Sequence, residues 1–219
     1  MNILVTGATG LVGAEVIRQA IIDDDVQRVT ALVRRPLSIQ HAKLTTILHQ
    51  DFLDYSGITD NLKNIDAFLW CLGISQSQVT KDKYHVITYD YALAAANALL
   101  QANPNVAFLF LSGAGADSTE KSRTLFARVK GKTENALSRL PFKRFVIARP
   151  AGIKPIHKNP NTSFFNKVMI PLFPLLERVA PSYVITSVDL AKALLELAKR
   201  GSEKAIMENT DLKRIVAAL

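Results

Sequence analysis

Three glycines near the start of the chain have the spacing of a phosphate-binding turn. Gly7, Gly10 and Gly13 fall in VTGATGLVG, directly after an apolar run and at the start of a helical pattern. The first glycine permits a tight turn, and the second lets the backbone approach a pyrophosphate, which the free N–H groups of the next helix stabilise. A tight turn without a ligand is the alternative. The predicted cofactor contacts in this turn are Gly7, Thr9, Gly10, Leu11, Val12 and Gly13.

Two arginines that follow the second apolar run indicate which cofactor is bound. Arg34 and Arg35 occur in LVRRP, where an acid would bind the ribose 2′-OH of NAD and an arginine suits the 2′-phosphate of NADP. The planar guanidinium fits phosphate oxygens. Asp23, Asp24 and Asp25 precede that run and so lie at the wrong end of the sheet. The sequence therefore favours NADP(H) over NAD(H), with two solvated arginines as the alternative.

Residues after two further strands are expected at the same cofactor, because ligands of such sheets lie beyond the carboxyl ends of the strands. Asp51 and Phe52 follow the third run and are expected near the adenine. The fourth run ends in CLG, where Gly73 lets the backbone pass close to the nucleotide. The cofactor contacts predicted there are Cys71, Leu72 and Gly73.

The elements that position these residues alternate between strand and helix. Near-continuous apolar runs predict buried strands at 2–6, 26–33, 44–49, 65–72, 106–112 and 143–148. Helices are predicted between the first two strands, over 81–102 with a stop before Asn103-Pro104, and over about 119–139. This alternation predicts an α/β fold, a Rossmann-type doubly wound parallel sheet with helices on both faces. We expect residues 1–219 to form one such domain.

A small C-terminal segment, residues 151–185, is expected on the substrate side. Six of the nine prolines fall between Pro150 and Pro181, which favours loops and short helices rather than sheet. Ser187 or Asp189 could cap a helix that runs to about Lys199, and 204–209 could be a last strand. Apolar side chains for a pocket, lid or dimer contact, or for an ordinary core helix, are Phe164, Phe165, Met169, Leu172 and Phe173.

Composition narrows the range of partners. The formal net charge of +8 favours anionic ligands, but the basic residues are scattered, so a nucleic-acid partner is not predicted. Prolines and charges interrupt the apolar segment 164–185, so no membrane span is predicted. The four histidines share no ligand spacing, so no metal is predicted. Cys71 is expected to be a buried, inert thiol, and the absence of a signal-peptide pattern predicts a cytoplasmic location.

Several motifs together resemble those of one superfamily. TGATGLVG, VRR, CLG, LSGAGAD, VKGKTE and ARPAGI cover the chain to about residue 153, with a weaker match in TSVDLAKAL. They resemble the atypical short-chain dehydrogenases/reductases, and more narrowly the NAD(P)H-binding, NmrA-like and Tat-interacting-protein-30-like oxidoreductase branch. The resemblance implies a nucleotide cofactor and a small-molecule substrate. It adds cofactor contacts at Lys130, Pro150, Ala151, Gly152 and Ile153.

The resemblance also implies a reaction site that lacks one member. In that superfamily a serine positions the substrate carbonyl, a tyrosine donates a proton, and a lysine four residues later binds the nicotinamide ribose. Carried over, the serine is Ser112 and the lysine is Lys130, but the tyrosine position holds Phe126. A phenyl ring cannot donate a proton, and loss of a general acid typically lowers a rate by about 10²–10⁴-fold.

Three explanations of the missing tyrosine stay open. Another acid could replace it, and by residue type Asp117, Tyr84, Tyr89 or Tyr183 would serve. The substrate could need only hydride, as a quinone-like acceptor nearly does, because water protonates the reduced anion. Or the fold could be a non-catalytic NADP(H)-sensing regulatory or protein-interaction module. The sequence favours reduction of a small apolar carbonyl or quinone-like acceptor.

Overall fold

A computed structural model describes residues 1–157 and 170–219. The strands in these residues are β1 Asn2–Thr6, β2 Arg28–Val33, β3 Leu44–Leu48, β4 Ala67–Trp70, β5 Ala107–Leu111, β6 Arg144–Arg149, β7 Gly152–Lys154, β8 Val184–Thr186 and β9 Ile206–Glu208. Seven of them form a parallel sheet in the order β3-β2-β1-β4-β5-β6-β9. The order reverses between β1 and β4, which is the switch point where ligands of doubly wound sheets bind.

Helices cover both faces of this sheet, as predicted. They are α1 Leu11–Ala20, α2 Thr59–Leu62, α3 Lys81–His85, α4 Tyr91–Ala102, α5 Leu125–Ser138, α6 Phe173–Val179, α7 Ser187–Arg200 and α8 Asn209–Ala217, with a π-helical turn, Val86–Asp90, joining α3 to α4. Ile3 and Val5 of β1 pack into the core beneath α1 and α7, whereas Leu4 packs into the core beneath α4. Burial on both faces explains the continuous apolar runs, and the doubly wound α/β fold is confirmed.

The helix that carries Lys130 begins later than predicted, at Leu125 rather than near residue 119. The Asp117 carboxylate accepts hydrogen bonds from the backbone N–H groups of Thr119, Lys121 and Ser122, at 2.9, 3.0 and 2.7 Å. These bonds satisfy the backbone in a loop conformation that competes with helix. The loop between β5 and α5 is therefore longer and better fixed than the sequence indicates.

The C-terminal region also departs from prediction in two respects. Residues 151–183 were predicted to contain loops and short helices rather than sheet, but they contain the strand β7, which pairs in parallel with β8. The cap of α7 is neither Ser187 nor Asp189 but Thr186, whose Oγ1 accepts a hydrogen bond from the Asp189 N–H at 2.9 Å. Of the predicted apolar side chains here, Phe173 is buried and Leu172 is exposed. Phe164, Phe165 and Met169 lie outside the described residues.

Candidate functional site

The turn between β1 and α1 leaves no room for side chains at two of its glycines. Gly7 has a φ of +66°, and a Cβ added to it would lie 2.4 Å from the carbonyl oxygen of Cys71. A Cβ on Gly13 would lie 2.3 Å from the carbonyl oxygen of Gly7, so α1 packs directly on the turn. Gly10 is the N-cap of α1, and no side chain caps that helix. The N-terminus of α1 thus has the form of an anion site at the switch point.

An open cleft of about 410 Å³ lies beside this turn. Its walls come from the turn, the ends of β2 and β4, and the segment after β3, and the lining residues are Gly7, Ala8, Thr9, Leu32, Val33, Arg34, Arg35, Gln50, Phe52 and Leu72. Arg34 and Arg35 are exposed, and within residues 1–157 and 170–219 no carboxylate pairs with either guanidinium. Gln50 fixes the Arg34 backbone through a 2.7 Å hydrogen bond to its carbonyl. Two positive charges are therefore available at the cleft.

The segment after β3 contributes differently from its prediction. Phe52 lines the cleft and is 2% exposed, since its ring stacks on Tyr91 at 5.7 Å and meets Trp70 edge-on. Asp51 does not line the cleft; its carboxylate accepts a hydrogen bond from the Leu53 N–H at 2.9 Å. Gln50, which the sequence interpretation missed, lines the cleft with Phe52. Its position directly before Asp51 and Phe52 was the sequence feature that could have identified it.

Some of the other predicted cofactor contacts line the cleft, and others are buried in the core. In the α1 turn, Thr9 is exposed at the cleft, Leu11 is partly buried at the first position of the helix, and Val12 is buried against the sheet. After β4, the Leu72 N–H donates to Thr6 Oγ1 at 3.3 Å, while Gly73 is exposed with open space around it. The turn after β4 thus lies against the end of β1.

Cys71 combines two features of this turn. Its carbonyl packs against Gly7, and burial raises the pKa of its thiol to about 12. A thiol with so high a pKa is almost entirely protonated at neutral pH, and the thiolate is the nucleophilic form. The high pKa agrees with the inert thiol expected from the sequence, but Cys71 as a residue is only partly buried and not buried as predicted.

A second cavity of about 420 Å³ lies between α1 and α7. It has apolar walls that include Ile22 and Leu195, and the carboxylates of Glu15, Asp23 and Glu196 line it together with basic side chains. Glu15 is buried and accepts hydrogen bonds from Arg18 and from Gln19. This cavity is away from the carboxyl ends of the strands and offers no uncapped helix N-terminus, so it does not have the form of a dinucleotide site.

Ser112 and Lys130 come together at the end of β5. Lys130 is 8% exposed, and its Nζ donates a 2.9 Å hydrogen bond to the carbonyl of Leu111, the residue before Ser112. The same Nζ lies 4.6 Å from the centroid of the Phe110 ring. Burial lowers the pKa of Lys130 to about 8, although Glu134 and Cys71 favour its charged form. The structure thus holds the Lys130 amine at the residue before Ser112.

The residues that hold Ser112 were not predicted. The Ser112 hydroxyl donates a hydrogen bond to Glu134, which is 1% exposed. Arg149 binds the same carboxylate twice, from Nε to Oε1 at 3.0 Å and from a terminal nitrogen to Oε2. Hydrogen bonding to Glu134 raises the pKa of Arg149. The signals available were the position of Glu134 one turn after Lys130 and the place of Arg149 at the end of the sixth strand.

Phe126 lies beside Ser112, where the resemblance places the tyrosine. A Cβ added to Gly113 would lie 2.8 Å from Cζ of the Phe126 ring, so the ring tip covers the backbone next to Ser112. The Phe126 N–H donates to Gln76 Oε1 at 2.9 Å, and this bond ties the loop after β4 to the first turn of α5. The Phe126 ring therefore lies against the residue after Ser112, and this position carries no hydroxyl.

None of the four substitute acids contacts this pair within the described part of the chain. Asp117 is engaged by its own loop, and the hydrogen bonds from Thr119 hold the pKa of its carboxyl below the usual range. Tyr84 is buried, and burial raises its pKa. Tyr89 packs under Lys132, whose Nζ lies 4.4 Å from the ring centroid, and Tyr183 is 65% exposed. No hydrogen bond links any of them to Ser112 or to Lys130.

The segment after β6 reaches the same edge of the sheet. The Pro150 carbonyl accepts a 2.8 Å hydrogen bond from the Ala114 N–H, and the Ala151 N–H donates to Asn209 Oδ1 at 3.0 Å. Gly152 and Ile153 continue into β7, where Gly152 packs near the Phe173 ring. The strand ends of β4, β5 and β6 therefore meet at one site.

The model of a protein family described as NAD(P)H-binding matches residues 7–199. The chain belongs to this NAD(P)H-binding family. Among curated proteins it is 31% identical to the protein fmp52, mitochondrial, of Emericella nidulans, over 69% of this chain and 66% of that protein, slightly under two thirds of its length. It is 26% identical to FMP52, mitochondrial, of Lodderomyces elongisporus, over 95% of this chain and 91% of that protein. The resemblance to the atypical reductases is thereby confirmed.

Solved structures with the same fold share little sequence with this chain. A monomeric L-threonine 3-dehydrogenase from a metagenome has a TM-score of 0.72 at 14% identity, covering 99% of this chain and 81% of that one. The enzyme WbmH of Bordetella bronchiseptica, solved in complex with NAD+, has a TM-score of 0.71 at 13% identity, covering 99% and 79%. At such identities the likeness shows the fold alone.

The predicted cytoplasmic location is contradicted. The relatives from Emericella nidulans, Lodderomyces elongisporus and Debaryomyces hansenii are all named as mitochondrial proteins. The absence of a secretory signal-peptide pattern, which was the basis of that prediction, does not exclude a mitochondrial location. Across residues 1–157 and 170–219, no helix has both the length and the apolar character needed to cross a bilayer.

Proposed function

We propose that this protein binds NADP(H) and transfers hydride from it to a small apolar carbonyl or quinone-like acceptor. The observation that carries the proposal is the buried Lys130 amine beside Ser112, at the same edge of the sheet as the glycine turn and its cleft. Burial of a lysine destabilises its charged form, and groups perturbed in this way concentrate at functional sites, so the position of Lys130 supports a functional role.

The residues of the cleft fit a dinucleotide. Because Gly7 and Gly13 have no Cβ, the turn packs tightly against Cys71 and against α1, and the backbone and the N-terminus of α1 can hold the pyrophosphate. Arg34 and Arg35 would bind the 2′-phosphate, and Lys130 would bind the nicotinamide ribose. The bound cofactor would supply the hydride. The described parts of the segment 151–185, residues 151–157 and 170–185, would contribute to the substrate side, where Phe173 packs near Gly152.

The choice of NADP(H) has a direct test. Arg34→Asp places a negative charge where the 2′-phosphate would bind, so we expect the dissociation constant for NADPH to rise about 100-fold or more, which corresponds to about 3 kcal/mol. The constant for NADH is expected to change less than about threefold. Arg28→Asp is the matched control, since Arg28 is an exposed arginine at the opposite end of β2. Equal losses for both cofactors in Arg34→Asp would contradict the role of Arg34.

Hydride transfer is tested by mixing the protein with NADPH and a panel of quinones, aldehydes and ketones while absorbance at the nicotinamide band is followed. We expect oxidation of NADPH with at least one acceptor class, and its loss in Lys130→Met. Phe126 favours a second candidate, a non-catalytic NADP(H) sensor or interaction module. Tight NADPH binding with no oxidation across the panel would support that candidate and refute the reductase; absence of NADPH binding would refute both.

A further inference from the structure

The Lys130 ammonium has more hydrogen-bond donors than protein partners. A charged lysine carries three N–H groups, and one of them donates to the Leu111 carbonyl at 2.9 Å. Within residues 1–157 and 170–219, the bond to Leu111 is the only hydrogen bond that the amine makes. Two N–H groups are therefore available to a ligand.

The amine lies between the ends of two paired strands. Leu111 is the last residue of β5, and Cys71, which follows β4 directly, is near enough to affect the pKa of the amine. β4 pairs with β5 on one side and with β1 on the other, so it borders the switch point of the sheet. Ligands of doubly wound sheets bind beyond these carboxyl ends. The available N–H groups thus lie at the edge of the sheet where the proposed cofactor and substrate would meet.

Phe126 and Ser112 do not offer a free proton at this edge. Phe126 precedes Lys130 by one turn of α5, and its ring carries no hydroxyl. The Ser112 hydroxyl donates to Glu134, whose carboxylate Arg149 binds through both oxygens. Among the groups that the described residues bring together at the end of β5, the Lys130 ammonium is therefore the donor whose protons are not bound by a carboxylate.

We propose that Lys130 is the proton donor of the reaction, and that its ammonium replaces the tyrosine that is missing at position 126. This role rests on the proposed function and adds to it, because the amine would bind the substrate oxygen as well as the nicotinamide ribose. The bound cofactor supplies the hydride, which adds to the carbonyl carbon while the electron pair of the C=O bond moves to the oxygen. One N–H bond of Lys130 breaks as the O–H bond of the alcohol forms. The neutral amine that remains takes a proton from water.

The ionisation of Lys130 suits this role. Burial lowers the pKa of the amine to about 8, although Glu134 on α5 and Cys71 after β4 favour its charged form. A general acid is most effective when its pKa is near the working pH, because it is then still protonated and gives up its proton readily. The Cys71 thiol has a pKa of about 12, and the Glu134 carboxylate is paired with Arg149. The rate should therefore fall as the pH rises through the pKa of Lys130.

The pH dependence of the rate tests this role. At saturating NADPH, kcat/KM of the wild type for an aldehyde should fall about tenfold for each pH unit above about 8, because only the ammonium can donate. Lys130→Arg keeps the positive charge and N–H donors for the ribose, but an arginine does not lose a proton at these pH values. We expect it to bind NADPH within about threefold of the wild type, to lose about 10²-fold in kcat, and to lose the dependence on pH. Lys132→Arg, the same change on the same helix, is the matched control and should behave as the wild type.

A second variant serves if arginine does not fit at this buried position. Lys130→Ala removes the amine, and ethylamine added to the solution can take its place. We expect ethylamine to raise kcat of Lys130→Ala by about tenfold or more, within the range for a general acid. Tetramethylammonium has the same charge but no N–H group, so it should not raise the rate. Equal effects of the two cations, or no effect of ethylamine, would overturn the proton-donor role.

The pKa of Lys130 can also be measured without any cofactor. In protein labelled with ¹³C at the lysine ε carbons, the NMR resonance that Lys130→Arg or Lys130→Ala lacks should titrate near pH 8. A pKa above about 10, the usual range of a lysine, would overturn the role, because such an amine gives up its proton too reluctantly.

The remaining results separate this role from the proposed function. Wild-type kcat in Lys130→Arg, or a wild-type rate that does not change between about pH 7 and 10, overturns the proton-donor role and leaves the reductase in place. Oxidation of NADPH by quinones but by no aldehyde does the same, because a proton donor at the site would permit aldehyde reduction. NADPH binding without oxidation by any acceptor overturns the reductase, and the role of Lys130 with it.

Discussion

Replacing Lys130 by methionine should change how the stability of this protein depends on pH. Lys130 is 8% exposed, and burial lowers its pKa to about 8 from a usual value of 10.5. The folded protein therefore binds this proton less tightly than the unfolded chain does. Between pH 8 and 10.5 the unfolded state holds more protons, so the free energy of unfolding rises with pH in this window.

The size of the effect follows from the two pKa values. At about 1.4 kcal/mol for each pH unit, the lowering from 10.5 to about 8 corresponds to about 3 kcal/mol. This is a cost that the folded wild type bears in full below pH 8 and loses as the pH rises towards 10.5. In Lys130→Met the cost is absent at every pH. The loss of the hydrogen bond to the Leu111 carbonyl is a separate effect that does not depend on pH.

The measurement is urea unfolding of the wild type and Lys130→Met at pH values from 7 to 10.5. We expect the stability of the variant relative to the wild type to fall by about 3 kcal/mol over this range. Lys132→Met is the matched control for the change from lysine to methionine, because it removes a partly buried side chain from the same helix. A constant difference for Lys130→Met would refute the reasoning, since it would show that the amine titrates alike in both states.

Two further predictions concern the stability of the fold. Gly131→Ala should lower the free energy of unfolding by about 1–3 kcal/mol in urea titrations, because its Cβ would lie 1.8 Å from the Asp117 carbonyl oxygen and the backbone must move. Gly57→Ala is the control, since Gly57 has open space around it, and equal effects of the two substitutions would contradict the prediction. Thr186→Ala should cost about 1 kcal/mol through loss of the α7 cap, and no difference from the exposed Thr210→Ala would show that the cap contributes nothing.

The sheet could be predicted from sequence because both of its faces are covered. Strands such as 106–112 then appear as continuous apolar runs, and the glycines of the first turn identify the switch point where the order reverses. Arg34 and Arg35 could be placed by the same argument, since the carboxyl end of β2 fixes their edge of the sheet. These features depend on local pattern and topology, which the sequence carries.

The tertiary polar contacts could not be predicted in this way. Glu134 looks like a solvated residue on a polar helix until β6 brings Arg149 against it and β5 brings Ser112. The late start of α5 depends on Asp117 binding the backbone after it, a competition that propensity alone does not resolve. Each missed or wrong prediction concerns a side chain that forms hydrogen bonds either to residues distant in sequence or to the backbone of its own loop.

The most direct test of the account is where NADPH binds. Hydrogen exchange measured by mass spectrometry, with and without saturating NADPH, should show slower exchange in peptides that cover residues 7–13, 33–36 and 71–73. Peptides that cover residues 188–196, beside the second cavity between α1 and α7, should be unchanged. Protection confined to residues 188–196, or no protection at the glycine turn, would contradict the central claim that the cleft at the strand ends holds the cofactor.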